Sequence, residues 1–192
     1  MSKKVLIIFA HPKKDSLNGE LLKQYKIFLE EQKIKYEIIN LYGEGFDPVL
    51  RFTKPNSQKD LIKEYQNLIL WADHLTFIYP VWWSGMPAIM KGFIDRVFEA
   101  GFAFQYRKGK NVPKKFLTGK TATLIRTYGG PKLGSILIGK ANYLGLRFGV
   151  FWFTGIKLKN IFDLYKASKS SFSKEKLDKF LKKIKKSIKN LY

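Results

Sequence analysis

Residues 4–18 read KVLIIFAHPKKDSLN, and their reading decides the fold. KVLIIFA at 4–10 is a continuous apolar, β-branched run. Such a run is expected of a strand buried on both faces, which needs helices on both sides of a parallel sheet. From Asn18 the pattern changes, and Leu21, Leu22, Tyr25, Phe28 and Leu29 recur at helical spacing. The opening is therefore strand, polar loop, helix.

The unit repeats along the chain. IKYEII at 34–39 is a second short strand, followed by a turn-rich loop, LYGEGFDPVLRFTKPNS. A helix fits 58–71 with Ser57 as its N-cap. HLTFIY at 74–79 is a third strand, and Pro87 opens a helix whose Ile89, Phe93 and Val97 keep one face apolar. KTATLIRT at 120–127 is a fourth strand, ended by GGP at 129–131. A weakly patterned helix over 133–146 and a fifth strand at 148–154, FGVFWFT, follow. From Ser173, Leu177, Phe180, Leu181, Ile184 and Ile188 form one stripe of an amphipathic helix with lysines opposite. Alternating strands and helices give an α/β class with right-handed crossovers. Five strands with helices on both faces predict a three-layer sandwich over a five-stranded parallel sheet in the flavodoxin-like order 2-1-3-4-5. With 192 residues and no linker or repeat, 1–192 reads as a single domain.

Composition narrows the function. There is no cysteine, which removes disulfides and thiolate metal sites, and His11 and His74 are the only histidines, which argues against a multi-histidine metal centre. The N-terminal apolar run is too short for a signal peptide, and FGVFWFTGI is far short of a membrane span, so a soluble cytoplasmic protein is expected. The net charge is +21, yet only five of the 36 basic residues are arginine. Base readout and bidentate phosphate recognition favour arginine, so specific nucleic-acid binding is not expected. Attraction of anionic ligands is the milder consequence.

In such a sheet, ligands bind beyond the carboxyl ends of the strands, near the point where strand order reverses. Three loops converge there: 10–18 (AHPKKDSLN), 79–87 (YPVWWSGMP) and 126–134 (RTYGGPKLG). The first offers Ser16 and Asn18 at a helix start, a natural phosphate position; alternatively they only cap the helix. His11 suits a phosphate or ribose hydroxyl, or a loop carbonyl. The second loop carries Trp82 and Trp83, whose indoles could flank a flat heterocycle or be ordinary core. The third brings Gly129 and Gly130, where backbone can approach a ligand closely, and Tyr128, placed to stack on it or to hydrogen-bond to it.

Four stretches together resemble a known family: VLIIFAHPKKDSLNGEL, NLYGEGFDPVL, YPVWWSGMPAIMKGFIDRVFEAGFAFQY and TYGGP, in that order. They are similar to the NAD(P)H:quinone oxidoreductases, the flavodoxin-like group that includes potassium-efflux regulatory oxidoreductases and modulator-of-drug-activity quinone reductases. The block P-x-x-W-x-G-x-P-A-x-x-K-G-x-x-D-R-V-F carries most of the likeness. The resemblance implies that His11, Ser16, Leu17 and Asn18 bind the flavin phosphate and ribityl region. It implies that Pro80, Val81, Trp82 and Trp83 line the isoalloxazine, and that Thr127, Tyr128, Gly129 and Gly130 close over its pyrimidine side. Phe102 and Phe104 lie where a second subunit helps form the substrate pocket, and a homodimer is implied. One departure matters. Mammalian-type members place a tyrosine and a histidine shortly after the paired glycines, and GGPKLGSILIGKANY has no histidine. A backbone donor, Tyr128 or a nearby lysine is left to stabilise the reduced flavin, and Tyr128 is the candidate catalytic side chain.

The implied activity is NAD(P)H-dependent: hydride from NADH or NADPH to a bound flavin, then two electrons to a quinone or similar flat acceptor. The C-terminal extension associated with FAD contacts is lacking, so FMN is expected before FAD. A second reading is a regulatory flavoprotein bound to a membrane transporter. Its basic C-terminal helix, KFLKKIKKSIKN, would then contact the partner or an anionic membrane; otherwise it packs Phe180 and Ile184 inward as a surface helix. A third reading, a flavodoxin-type electron carrier, fits less well, because carriers of that type have a serine/threonine-rich phosphate loop and an acidic surface.

Overall fold

The strand read at 4–10 is β1, Val5–Phe9, and every one of its side chains is buried. In chain order it is followed by α1 (Leu17–Glu31), β2 (Tyr36–Asn40), α2 (Lys59–Trp71), β3 (His74–Pro80) and α3 (Ala88–Val97). Then come β4 (Phe104–Gln105), β5 (Lys114–Lys115), β6 (Thr121–Thr127), α4 (Gly145–Trp152), β7 (Lys157–Leu164) and α5 (Lys174–Lys189). α4 is wound with π-helical spacing. The structure is a computed structural model and describes residues 3–51, 58–134, 143–167 and 172–189.

The main sheet is parallel, in the order β2-β1-β3-β6-β7. With the separate antiparallel hairpin β4–β5 left uncounted, this is the expected 2-1-3-4-5 arrangement. Side-chain alternation divides the core into two layers. Val5, Ile7 and Phe9 pack with Leu21, Tyr25 and Leu29 of α1 and with Phe180, Ile184 and Ile188 of α5. Leu6 and Ile8 face the other way, towards Tyr65 and Ile69 of α2, Phe93 of α3 and Phe151 of α4. The apolar stripe of α5 is thus spent on the core, as the surface-helix reading expects. Its N-cap lies one residue ahead, where Ser173 Oγ accepts the Lys176 N–H at 3.3 Å.

The turn-rich loop after β2 is built into this second layer. Phe46 lies against Tyr65 and Phe93, with ring centroids 5.8 and 6.4 Å away. Arg96 of α3, nearly buried, donates to the Asp47 carbonyl and, at 3.0 Å, to Gln58 Oε1. Gly92 is needed because a Cβ there would stand 2.2 Å from the Pro48 carbonyl oxygen. Ser57 lies outside the described residues; Gln58 holds the N-cap position of α2 and makes no side-chain cap.

The fifth strand is not FGVFWFT. Those residues belong to α4 and the turn that ends it, and the strand is KLKNIFDL at 157–164. A short unbroken apolar run fits a buried helix as well as a buried strand. Here the helical option wins: Phe151 packs on Phe77, centroids 5.6 Å apart, while Phe148 and Trp152 face outward. β7 is the sheet edge, and its exposed Lys157 and Lys159 alternate with partly buried residues. Lysines on an edge strand discourage pairing with another chain, and they also hide the strand from a search for apolar runs. The helix expected over 133–146 is seen at its ends, 132–134 and from 143; residues 135–142 lie outside the described residues. Among the described residues no helix is long and apolar enough to cross a membrane.

At the opposite end of the sheet from the loops, His74 begins β3 with no exposed surface. Its Nδ1 pairs with Thr121 Oγ1 at 2.7 Å and its Nε2 with Thr123 Oγ1 at 3.0 Å. Burial, aided by the charges of Lys3 and Lys159, lowers its pKa to about 3. The unfolded chain binds this proton below an ordinary histidine pKa of about 6.5, and the folded chain does not until about 3. Stability is therefore lost as pH falls through that window, by up to about 1.4 kcal/mol per unit. Urea midpoints measured from pH 7 to pH 4 should fall more steeply for the native protein than for His74→Gln, whose amide does not titrate.

Candidate functional site

Register brings the three loops together. β1 pairs with β3, and β3 with β6, so that Phe9 lies beside Ile78, and Pro80 beside Thr127. Ala10 N–H donates to the Ile78 carbonyl at 3.0 Å, and Val81 N–H to the Thr127 carbonyl at 2.8 Å. All three strands end at one level and their loops open into one cavity of about 880 Å³. Its walls include His11, Ser16, Leu17 and Asn18 from the first loop. The second loop contributes Pro80, Val81, Trp82 and Trp83, and the third Thr127 and Gly129.

The first loop ends in a capped helix. Ser16 Oγ accepts the Gly19 N–H at 3.1 Å and donates to the Lys13 carbonyl at 2.8 Å, and the Ser16 carbonyl accepts from Glu20 N–H. The N–H groups of Leu17 and Asn18 precede these and project from the helix end, where the dipole favours an anion. Ser16 thus caps the helix and also lines the cavity. A Cβ on Gly19 would sit 1.9 Å from the Lys14 carbonyl oxygen, so the loop can fold this tightly only over a glycine. Asn18 is 3% exposed, and its Nδ2 donates to Thr127 Oγ1 at 2.9 Å. Its Oδ1 is buried in the cavity wall and has no partner among the described residues. His11 Nδ1 is held by the backbone of Lys13, 3.1 Å from its N–H, and the ring leans on Trp82 at 6.1 Å.

The second loop is a strained turn. Trp82 N–H donates to the Gly85 carbonyl at 2.9 Å, and Gly85 N–H returns to the Trp82 carbonyl at 2.8 Å. The two residues between, Trp83 and Ser84, both have left-handed φ, 49° and 63°. That is type I′ geometry, which favours Asn-Gly and costs other residues roughly 1–2 kcal/mol each. The strain holds Trp83 completely exposed at the cavity, with Trp82 42% exposed beside it. Neither indole is core.

The third loop is braced by a fourth that the sequence reading misses. Tyr128 N–H donates to the Leu164 carbonyl, Ala167 N–H to the Tyr128 carbonyl and Lys166 N–H to the Gly130 carbonyl, at 2.8, 2.8 and 2.9 Å. Ala167 thereby joins the cavity wall. Its signal was the alternation in KLKNIFDL, hidden once the last strand was set too early. A Cβ on Gly129 would meet no atom of the described residues within 4 Å, so the loop leaves open space there.

Three of the expected side chains lie outside this cavity. Tyr128 does not reach the cavity. Its ring is 6% exposed and stacked on Tyr165, centroids 4.9 Å apart, with the Arg126 guanidinium 5.6 Å away. Burial raises its pKa to about 12. Below it Arg126 makes a bidentate pair with Asp163, at 2.7 and 2.8 Å. Phe102 and Phe104 also stand apart from the cavity. Phe104 walls a second, apolar cavity of about 700 Å³ bounded by Ser84–Met86, α3 and α4, whereas Phe102 packs partly buried on the core. The Trp82–Gly85 turn is the partition between the two cavities.

Known proteins share this fold. A sequence profile described as flavodoxin-like fold matches residues 3–188. The chain is 32% identical over 201 residues to a ribosyldihydronicotinamide dehydrogenase-like protein of Penicillium crustosum, covering 88% of this chain and 75% of the relative. The crystal structure of Smu.1420 from Streptococcus mutans is 37% identical and superposes with a TM-score of 0.80, covering 97% of this chain and 99% of the other. This chain is a flavodoxin-like NAD(P)H:quinone oxidoreductase family member. A structure named as NAD(P)H:quinone oxidoreductase from Methanothermobacter marburgensis is 25% identical with a TM-score of 0.80, and covers 100% of both chains. Within this oxidoreductase family, the chain sets Trp83 at the cavity mouth and has no histidine in 129–143.

The turn gives a direct test. Ser84→Gly removes the Cβ that resists a left-handed φ, so it should raise stability by about 1 kcal/mol, read as a higher urea midpoint at unchanged slope. A lower midpoint would show that Ser84 contributes more by contacts than its backbone loses.

Proposed function

We propose that the cavity of about 880 Å³ holds a flavin, FMN, and that the protein passes two electrons from NADH or NADPH to a quinone or similar flat acceptor. The observation that carries this is Trp83, an aromatic side chain kept wholly in solvent by a left-handed turn at the mouth of a polar cavity. Folding has no use for that strain; a flat ligand does.

The walls suit such a group. The N–H groups at the start of α1 take its phosphate, with the positive end of the helix dipole behind them. Asn18 Oδ1, buried and unpartnered, accepts a hydroxyl of the adjoining chain. Trp82 and Trp83 wall the ring on one side, and Gly129 leaves room for it on the other. Lys13 and Lys14 stand at the same wall and favour the approach of an anionic dinucleotide. Flavin, when bound, supplies the hydride and electron chemistry; the protein binds, orients and excludes water. Tyr128 serves by positioning. A phenol with its pKa near 12 and its face against Tyr165 stays protonated and out of contact, while its backbone holds the third loop against 164–167.

Anaerobic addition of NADH or NADPH to FMN-loaded protein should bleach the visible flavin band, and menadione should restore it. Flavin that binds but never bleaches would favour a carrier or regulator. Trp83→Ala should fold normally and bind FMN about three- to tenfold more weakly, the worth of one aromatic stack. Gly19→Ala should weaken it more, because the Lys14 carbonyl must move. Titration of FMN into the apoproteins by fluorescence quenching measures both.

A further inference from the structure

The four loops at the polar cavity are charged unevenly. Residues 10–18, 80–87, 128–134 and 164–167 carry four lysines, Lys13, Lys14, Lys132 and Lys166, and one acid, Asp15. Lys13, Lys14 and Asp15 line the cavity on the α1 side. Lys132 and Lys166 belong to the loops that follow β6 and β7, on the other side, and both are exposed. The Lys166 N–H donates to the Gly130 carbonyl at 2.9 Å, which locks these two loops together. Gly129 and Ala167, one residue away from that bond on either loop, are cavity wall. Asp163, just before the fourth loop, is held in its bidentate pair with Arg126 and offsets neither lysine.

We infer that Lys132 and Lys166 make the site select NADPH over NADH as its electron donor, an inference that rests on the flavin reading of the cavity. A flavin phosphate at the start of α1 offsets Lys13 and Lys14 at that end. Residues 128–134 and 164–167 contain no acid, so the charge of Lys132 and Lys166 acts on whatever crosses the rim. The two donors give the same hydride from the same dihydronicotinamide, and both leave with an oxidised ring as the flavin is reduced. They differ in one phosphate monoester on the adenosine ribose, which adds a charge of about −1.5 to −2 at pH 7. With the nicotinamide against the flavin ring, the rest of the dinucleotide runs out over the rim. Neighbouring strands are about 4.8 Å apart, so the loops after β6 and β7 lie within about one Debye length of that path, about 10 Å at 0.1 M salt. Selection by a field needs no fixed contact, which suits exposed lysines on long flexible stems.

The test is anaerobic stopped-flow bleaching of the whole FMN-loaded protein by three donors that share one dihydronicotinamide: the uncharged N-benzyl compound, NADH and NADPH. At low salt the second-order rate constant should be about three- to tenfold higher with NADPH than with NADH. Sodium chloride at about 1 M, which shortens the Debye length to about 3 Å, should remove that preference and barely alter the rate with the uncharged donor. Lys132→Gln/Lys166→Gln should bring the NADPH-to-NADH ratio at low salt to within about twofold of unity, and each single substitution should take it part of the way. Lys186→Gln/Lys189→Gln, in the last turn of α5, should keep the native ratio. That helix begins beside the fourth loop, where Lys176 Nζ donates to the Tyr165 carbonyl, and these two lysines lie about 15–20 Å further along it. Circular dichroism and flavin content identify any variant that has not folded, and the single variants keep the comparison open if the double one fails. Equal rates with NADH and NADPH at low salt overturn the inference. So does a preference that survives high salt or the loss of both lysines, or that falls as far in the α5 variant. Bleaching by none of the three donors would overturn the flavin-enzyme reading itself, and this inference with it.

Discussion

Everything at the carboxyl end of the sheet depends on the shared register of three parallel strands. β3 lies between β1 and β6 with every side chain buried, and its ladder fixes both neighbours at once. A shift of one residue in either pairing would turn each core residue to the wrong layer, so the register is not negotiable. The same constraint sets Ala10, Pro80 and Thr127 at a common level and makes three loops, far apart in sequence, into one cavity. The buried hydrogen bond from Asn18 to Thr127, spanning 109 residues, then ties the helix that caps the first loop to the strand that begins the third. Chemistry at this site is a consequence of alignment lower in the sheet.

Much of this was legible because the informative residues obey one rule each. A strand buried on both faces must be apolar throughout, so 4–10 and 74–79 stand out. A helix covering a sheet must show its stripe, so α1 and α5 stand out too. The last strand did not, because it lies at the edge and is half solvated, while the apolar run before it is a helix serving the core on one side. That single misplacement hid Ala167 and the brace that 164–167 gives to the third loop. The tryptophans were correctly placed at a strand end, but their exposure rests on two left-handed φ angles that no periodicity reports. Tyr128 was misjudged for a different reason. Its neighbours in space, Arg126, Asp163 and Tyr165, come from two strands, and only their packing turns the ring away from the cavity.

The uneven distribution of charge also has a structural reading. A net charge of +21 spread at random would be only a solubility property. In the folded chain the basic residues divide into kinds. Lys120, half-buried, satisfies the carbonyls of Leu70 and Ala72 near the end of α2. Arg126 and Arg96 are enclosed and knit strands and loops together. On the β5 hairpin strand and α4, Lys114, Lys115 and Arg147 lie over the rings of Phe116, Trp152 and Phe148.

The loop between β2 and α2 looks like a spacer in the sequence, yet it behaves as part of the interior. Phe46 completes an aromatic cluster, Pro48 touches α3 where only a glycine can sit, and Asp47 is gripped by a nearly buried arginine. Irregular backbone is usually where chains accept insertions, fusions or new termini. Here the first half of the loop is fixed from three sides, and any added length at 46–48 would have to be absorbed by the helix packing itself. An engineer dividing or extending this protein should therefore choose the tip of the β4–β5 hairpin, where residues 105–112 are all exposed, and leave the apparent linker whole.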